Sequence, residues 1–392
     1  MPRRGREGGF SGPLSSIAVV GIALGVVVMV MAVSILRGFQ ADIRDKVAGF
    51  GSHMTVTSFA PSEVYADNPV AVDSALLEAL RSVPGVRHVQ CFATKGGMVK
   101  TEEQIYGIMF RGVGEGYDTS FYHTCLVEGQ LPSETNDVLI SSTIGSKLGL
   151  KIGDKMRTYF WSGDSYRSRA FTVCGIYNTD LAEMDELYVV GDLRQVQRIE
   201  GWGDSLVGGY EILVDNFDNL DATARRVDEV LPYDLQMHTI VEQHPALFSW
   251  LDLLNANIAL ILTIMCLVSA VAIVSALLIM IFEKSATIGL LKALGACNAS
   301  VRRIFMFKAA GLIATGVAIG DAVALALSLA QNHWRLLTLD PESYSMAYVP
   351  VEIDPWVYVA VSLGTLAVCV AALLLPAAHI SRVSPAKTMR SE

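Results

Sequence analysis

IALILTIMCLVSAVAIVSALLIMIF, residues 258–282, carries no charge from end to end. A helix crossing the hydrocarbon core of a bilayer needs about 20 apolar residues, and this run exceeds that length. It breaks at once into EKSATIGLLKALGA, residues 283–296, where charges and small residues are interleaved with leucines at helical spacing. An apolar span followed directly by a short amphipathic segment marks a membrane protein that presents structure to the aqueous phase between its spans.

Three further runs share the first property. Ile17–Leu36 is uncharged, Ile304–Ala330 is interrupted by Lys308 and Asp321, and Trp356–Ile380 is clean up to His379. The spans are therefore placed at 17–36, 257–282, 304–330 and 356–380. Hydrophobic residues make up 52% of the 392-residue chain, which rarely holds for a soluble protein of this size. The first run follows Arg3, Arg4 and Arg6, as a signal peptide would. Its apolar core is too long for that reading, however, and no small-residue cleavage site ends it. It continues into Gly38-Phe39-Gln40-Ala41-Asp42-Ile43-Arg44, which reads as an extension of the same helix.

Charge orients the spans. Lys and Arg dominate the N-terminus (1–16), the 283–303 loop (Lys284, Lys292, Arg302, Arg303) and the C-terminus (381–392: Arg382, Lys387, Arg390). Acids outnumber bases in 37–256 and in 331–355. The positive-inside rule then predicts cytoplasmic termini, a cytoplasmic 283–303 loop and an extracytoplasmic 37–256 domain. The formal charge of −9 comes from that domain and gives no indication of nucleic-acid binding. Cys91, Cys125 and Cys174 are an odd set for a disulfide framework and read as free thiols.

The outer segment alternates strand and helix signals. His53–Phe59 alternates as a strand, Asp73–Val83 has helical spacing with Asp73 as N-cap, and Val86–Phe92, Gly97–Lys100 and Gln104–Arg111 read as strands. A second, mostly β block at about 117–200 includes a helix at Ser141–Leu148 and strands at Lys155–Phe160 and Arg169–Ile176. The segment closes with a strand at Tyr210–Val214, a helix at Leu220–Leu231 and a strand at Leu235–Ile240. The fold class expected is an α-helical membrane domain of four transmembrane helices with a large α+β extracytoplasmic domain between helices 1 and 2.

Catalytic chemistry has no residues to stand on. The chain has no G-x-x-x-x-G-K-[ST] loop, no H-E-x-x-H, no paired C-x-x-C and no G-x-S-x-G, and its seven His are scattered without ligand spacing. No catalytic residue and no metal ligand is assigned.

What remains is mechanical. In the 283–303 loop Ile288, Leu291 and Leu294 fall at helical spacing, Gly295 suits a helix C-terminus, and Asn298 can cap the next helix. A short amphipathic helix there offers an apolar ridge to a soluble partner or to the headgroup layer. Gly21/Gly25 and Gly316/Gly320 form two G-x-x-x-G patterns that let helix backbones approach, within the chain or at a dimer seam. Asp321, inside the third span, must face protein or a wet cavity, with a Ser of a neighbouring span as its expected partner.

At this loop the chain resembles the permeases of the MacB/FtsX/LolC-LolE superfamily of ABC transporters. Ile288-Gly289-Leu290-Leu291-Lys292-Ala293-Leu294-Gly295-Ala296 fits their I-x-x-L-(K/R)-x-L-G-A loop. Pro376-Ala377 with Ser384-Pro385-Ala386-Lys387-Thr388-Met389-Arg390 resembles their ending. Within the superfamily the likeness is to the lipoprotein-releasing LolC/LolE type, through Gly38-Phe39-Gln40, Arg44-Asp45-Lys46, Gly49-Phe50-Gly51-Ser52-His53 and Leu339-Asp340-Pro341-Glu342-Ser343-Tyr344. MacB-type permeases carry an ATPase on the same chain, and FtsX-type proteins usually have a much smaller outer domain.

The resemblance implies a division of labour. Two permease subunits, identical or paralogous, bind separate ATPases that hold ATP and Mg. The coupling helix at about 284–294 (Lys284, Ile288, Leu291, Lys292, Leu294, with Gly295 after it) takes the stroke. Lipoproteins enter between the first spans and pass to a periplasmic chaperone. The hairpin that hooks this chaperone maps to about Tyr159–Arg169, including Phe160, Trp161, Arg167 and Arg169. The loop is short and has no Pro, a departure from the pattern. The alternatives are a MacB-like efflux permease and an FtsX-like activator of a cell-wall hydrolase.

Overall fold

The computed structural model describes residues 11–59, 68–101, 104–162, 165–340 and 346–379. The Ser384–Arg390 ending, most of the N-terminal leader, Pro341–Tyr344 and the turn residues 163–164 lie outside the described residues, as do the side chains of Lys292 and Asn298. The chain forms two compact units, one from Met1–Gln40, Trp250–Thr338 and Tyr348–Glu392, the other from Ala41–Ser249 and Leu339–Ala347.

The first unit holds four helices long and apolar enough to cross a membrane: Ser11–Gly51, Pro245–Glu283, Asn298–Trp334 and Pro355–His379. The first three contain their apolar runs and extend past them, and the fourth follows its run to His379, the last described residue. A helix does not need to stop where hydropathy does; polar residues continue it wherever aqueous or protein surroundings satisfy them. Ile22, Val26, Met29, Ile273, Leu277, Ile313 and Leu373 pack as the shared core of these spans.

The segment before the fourth span is pinned rather than loose. Gln331 accepts from the Leu337 N–H (3.0 Å) and donates to the carbonyls of Leu337 (3.2 Å) and Val349 (3.0 Å). Asn332 donates to Val351 O at 3.0 Å, and the Glu352 N–H reaches Ser34 O on the first span at 3.1 Å. Gly38 makes this approach possible, because a Cβ there would lie 2.7 Å from Pro350 O.

The second unit is α+β. Its strands are β1 (Met54–Ser58), β2 (Val70–Ala71), β3 (Val86–Lys100), β4 (Ile105–Val113), β5 (Leu126–Gly129), β6 (Asp137–Ser141), β7 (Lys155–Ser162), β8 (Ser165–Tyr177), β9 (Tyr188–Asp192), β10 (Leu206–Val207), β11 (Gly209–Val214) and β12 (Leu235–Thr239). Ten of them make one sheet in the order β12-β1-β11-β3-β4-β9-β6-β8-β5, with β7 bridging β3 and β8; β2 and β10 pair separately. Two pairings, β4–β9 and β6–β8, are parallel and the rest antiparallel. The mostly β block at about 117–200 joins the main sheet through the β4–β9 and β3–β7 pairings.

Helices at Ser74–Ser82, Ser142–Leu148, Leu193–Glu200 and Leu220–Asp228 cover the sheet. Three of them start on side-chain caps: Asp73 accepts from Ala75 N–H, Ser141 from Ile144 N–H and Asp192 from Arg194 N–H. The last turns of the first long helix, Ala41–Gly51, belong to this unit too. Ile43, Val47 and Phe50 are buried there, with the Phe50 ring 4.9 Å from Tyr188 and 6.0 Å from Tyr122. Ser52 ends the helix at φ 68°, its N–H bonding Ala48 O at 2.7 Å.

Candidate functional site

The short helix Ser285–Ala293 follows the second span and is closed by Gly295 at φ +95°. That backbone conformation lets Leu294 N–H reach Leu290 O (3.0 Å) and Ala296 N–H reach Leu291 O (2.9 Å), the C-terminal arrangement in which Gly is preferred. The next helix begins at Asn298, so its N-cap is Cys297 rather than Asn298, with Cys297 Sγ 3.1 Å from Ser300 Oγ. This contact lowers the exposed Cys297 thiol below its ordinary value.

The apolar residues of the loop divide between two faces. Ile288 is only 1% exposed and packs into the membrane core with Val301 and Phe305. Leu291 is half-buried, while Leu290 and Leu294 are 62% and 78% exposed. Four residues apart, they share one helix face. The outward apolar face is therefore Leu290–Leu294, not the Ile288–Leu291–Leu294 series expected from spacing. The segment returns to the spans at both ends, and Ile288 anchors it. Leu290 was missed, although its spacing to Leu294 was available in the sequence. Lys284 is partly buried.

Inside the spans both Gly pairs work within the chain. The first span turns Gly21 and Gly25 toward the second: Cβ atoms there would lie 3.8 Å from Ala272 Cβ and 2.6 Å from Ser269 Oγ. The third span turns Gly316 and Gly320 toward the first, where added Cβ atoms would lie 3.0 Å from Ile22 and 2.8 Å from Ala23 O. Asp321 finds the expected serine partner: Ser362 on the fourth span donates to its Oδ2 at 2.6 Å. Toward their Arg37 and Trp250 ends, the first two spans are joined by Phe39 against Trp250 (5.4 Å, edge-on) and by Gln40, which donates to Asn255 Oδ1 at 3.1 Å.

In the α+β unit a buried ion pair sits beside the tail of the first helix. Arg111 pairs with Glu211 and donates to Tyr117 Oη at 3.2 Å, and Gln90 donates to the other Glu211 oxygen at 3.0 Å. Burial pushes the Glu211 carboxyl up, opposed by Arg111 and by the Gln90 bond. The Arg111 guanidinium also lies 5.3 Å from the Phe50 ring. Arg44 reaches over Phe217 at 4.6 Å, and Phe217 stacks on Phe248 of the second long helix at 6.0 Å and 7°. The first long helix thus carries aromatic and cationic anchors in this unit (Phe50, Arg44) and the second an aromatic one (Phe248), which the sequence reading missed.

The β7–β8 hairpin places its candidate residues unevenly. Phe160 is fully buried against Phe110 and Phe171. Trp161 and Tyr166 face each other across the strands, 4.7 Å apart and more than half exposed. Arg167 is engaged by the chain itself, donating to Arg198 O at 3.1 Å and Ile199 O at 2.7 Å at the end of the Leu193–Glu200 helix. Arg169 donates to Ser168 O at 3.2 Å. Among the described residues no group of His, Cys, Asp and Glu is placed to hold a metal ion.

Four membrane-length helices, a helical loop between the second and third, and an α+β domain between the first and second make a multi-pass membrane architecture with one large inserted domain. Residues 15–230 match the family model described as MacB-like periplasmic core domain, and residues 235–385 match FtsX-like permease C-terminal. The chain belongs to this MacB/FtsX permease family of ABC transporters.

It is similar along its whole length to the lipoprotein-releasing system transmembrane protein LolC of Xylella fastidiosa (25% identical, covering 100% of this chain and 97% of that one). LolC of Neisseria meningitidis serogroup B is 24% identical with the same coverage, and LolE of Haemophilus influenzae is 23% identical over 96% of this chain and 94% of that one. Among solved structures, the periplasmic region of MacB from Actinobacillus actinomycetemcomitans aligns with 50% of this chain and 91% of that one, at 13% identity and TM-score 0.36.

Proposed function

We propose that the chain is the permease subunit of an ABC transporter that extracts lipoproteins from the inner membrane for delivery toward the outer membrane. The observation that carries this reading is the full-length correspondence to LolC and LolE proteins, spanning both the membrane helices and the α+β domain. In this reading the α+β domain is periplasmic, and the termini and the 283–303 loop are cytoplasmic. ATP and Mg are held by a separate ATPase subunit, and a second permease copy or paralogue completes the transporter.

The exposed Leu290–Leu294 face receives the ATPase, with buried Ile288 passing its displacement to Val301 and Phe305 in the spans. The first and second long helices carry the movement onward, since Phe50, Arg44 and Phe248 are seated in the α+β unit. A chaperone contact on the hairpin falls to the exposed Trp161–Tyr166 pair, because Arg167 already bonds the chain's own carbonyls.

Depletion of this protein, followed by separation of the two membranes, tests the reading. Outer-membrane lipoproteins are expected to accumulate in the inner membrane. Normal sorting in a strain without a paralogue would overturn lipoprotein release.

A further inference from the structure

A concavity of about 510 Å³ opens between the first, second and fourth spans. Its walls are apolar: Met29 and Val33 from the first span, Leu262 and Cys266 from the second, Val361 from the fourth. Two small residues one turn apart, Ala360 and Gly364, leave the hollow, and a Cβ on Gly364 would meet nothing within 4 Å.

The rim has a different chemistry. Arg37 lines the mouth and pairs with Asp354, and both are reached by solvent, with side chains 48% and 22% exposed. Trp356, 78% exposed, stands beside them at the start of the fourth span. Trp at the end of a span marks the headgroup level. From Arg37 to Met29 the first span descends about 12 Å, close to the hydrocarbon depth of about 15 Å in one leaflet. The groove thus begins at the headgroups and ends near the bilayer centre.

We infer that this groove is a binding site for one zwitterionic phospholipid of the leaflet on the Arg37 side. An acyl chain fills the apolar hollow, the lipid phosphate takes the Arg37 guanidinium, and the headgroup ammonium takes the Asp354 carboxylate. The rim presents one cation and one carboxylate side by side, the complement of a phosphate–ammonium headgroup. An anionic lipid would meet Asp354 unfavourably, and a lipidated protein has no phosphate to offer Arg37. The site is independent of the proposed transport activity.

The test reconstitutes the full chain into vesicles of equal phosphatidylethanolamine and phosphatidylglycerol. The chain is then re-extracted in mild detergent, and retained lipid is quantified by mass spectrometry. About one phosphatidylethanolamine per chain is expected, falling at least about five-fold in Gly364→Leu, whose side chain occupies the hollow. Ala360→Leu fills the same groove from one turn away and serves if Gly364→Leu does not fold. Asp354→Asn keeps the bond that Asp354 makes to Trp356 N–H at 2.9 Å but removes the anion, and should shift retention toward phosphatidylglycerol. Equal retention by wild type and both Leu variants would overturn the site. So would wild type retaining phosphatidylglycerol as well as phosphatidylethanolamine, or chain purified from cells carrying a lipidated protein instead of phospholipid.

Discussion

Ser362 Oγ donates to Asp321 Oδ2 at 2.6 Å, tying the fourth span to the third inside the membrane, while Asp321 Oδ1 is buried with no partner among the described residues. Interhelical hydrogen bonds in membranes contribute about 0.6 kcal/mol on average, and placing an Asp at a helix centre costs about 2.5–3.5 kcal/mol. The second figure is the larger, so Asp321 is not retained for stability. Asp321→Ala is expected to unfold no earlier than wild type in detergent. If lipoprotein sorting nevertheless fails in that variant, the carboxyl is needed for the transport cycle; intact sorting would make it a helix tie only.

The glycine seams make a sharper demand. A Cβ on Gly320 would lie 2.8 Å from both Ala23 O and Val26 Cβ, so two spans would have to separate to admit a larger side chain. Gly311, on the same helix, has nothing within 4 Å of its Cβ position. Gly320→Leu should therefore cost several kcal/mol and render the spans sensitive to protease, as overpacking of a close seam does. Gly311→Leu should leave the thermal unfolding curve within about 1 kcal/mol of wild type.

These seams show what the sequence could convey. The bilayer requires long apolar runs, so all four spans were legible, and the G-x-x-x-G spacing identified residues that do sit at close contacts. It could not say whether the contact lay within the chain or across a dimer, because spacing carries no partner. Helix ends were less visible: the amphipathic extension was legible to Arg44, but the helix continues to Gly51 on Val47 and Phe50. In the α+β unit β3 was read as two pieces, because Gly96 and Gly97 interrupt its alternation, yet β4 pairs without a break from Phe92 to Lys100. β6, β9 and the helix Leu193–Glu200 escaped notice. They are short, and the strand pairings β4–β9, β6–β8 and β6–β9 join residues distant in sequence.

Arg111 and Glu211 should be inseparable. Both are almost fully buried, and truncating one partner leaves an uncompensated charge in the core. Arg111→Met is expected to destabilise the α+β unit by about 3–5 kcal/mol, read from denaturant unfolding followed by Trp fluorescence. The double variant Arg111→Met, Glu211→Leu should recover most of that loss. A single variant as stable as wild type would show that the pair is not buried in solution.

His53 gives the unit a pH dependence. Its Nδ1 accepts the Val214 N–H at 3.4 Å, which requires an unprotonated nitrogen, and burial and then Arg87 lower its pKa to about 4. The unfolded chain takes up this proton near pH 6.5, the folded chain only near pH 4. Between those values the unfolded state binds more protons, so stability present above pH 6.5 is lost as pH falls toward 4, by about 2–3 kcal/mol. Unfolding midpoints of wild type should fall across that window. His53→Asn, which keeps an acceptor but does not titrate, should show a shallower decline.

The loop between the second and third spans offers a separation of effects within one helix. Ile288, 1% exposed, is part of the membrane core, so Ile288→Asp should bury an unpaired charge and reduce the amount of folded protein in the membrane. Leu290 and Leu294 face outward, and Asp at either position removes apolar contact area without disturbing the core. Leu290→Asp and Leu294→Asp are therefore expected to insert and fold as wild type does, yet to lose co-purification of the ATPase. At about 25 cal/mol per Å² a single buried leucine is worth roughly 1.5–3 kcal/mol, a ten-fold to hundred-fold loss of affinity. Leu291→Asp, at a half-buried position, should show a mixture of both defects. Retained ATPase binding in the Leu290→Asp, Leu294→Asp double variant, with lower folded yield instead, would assign this face to the headgroup layer rather than to the ATPase.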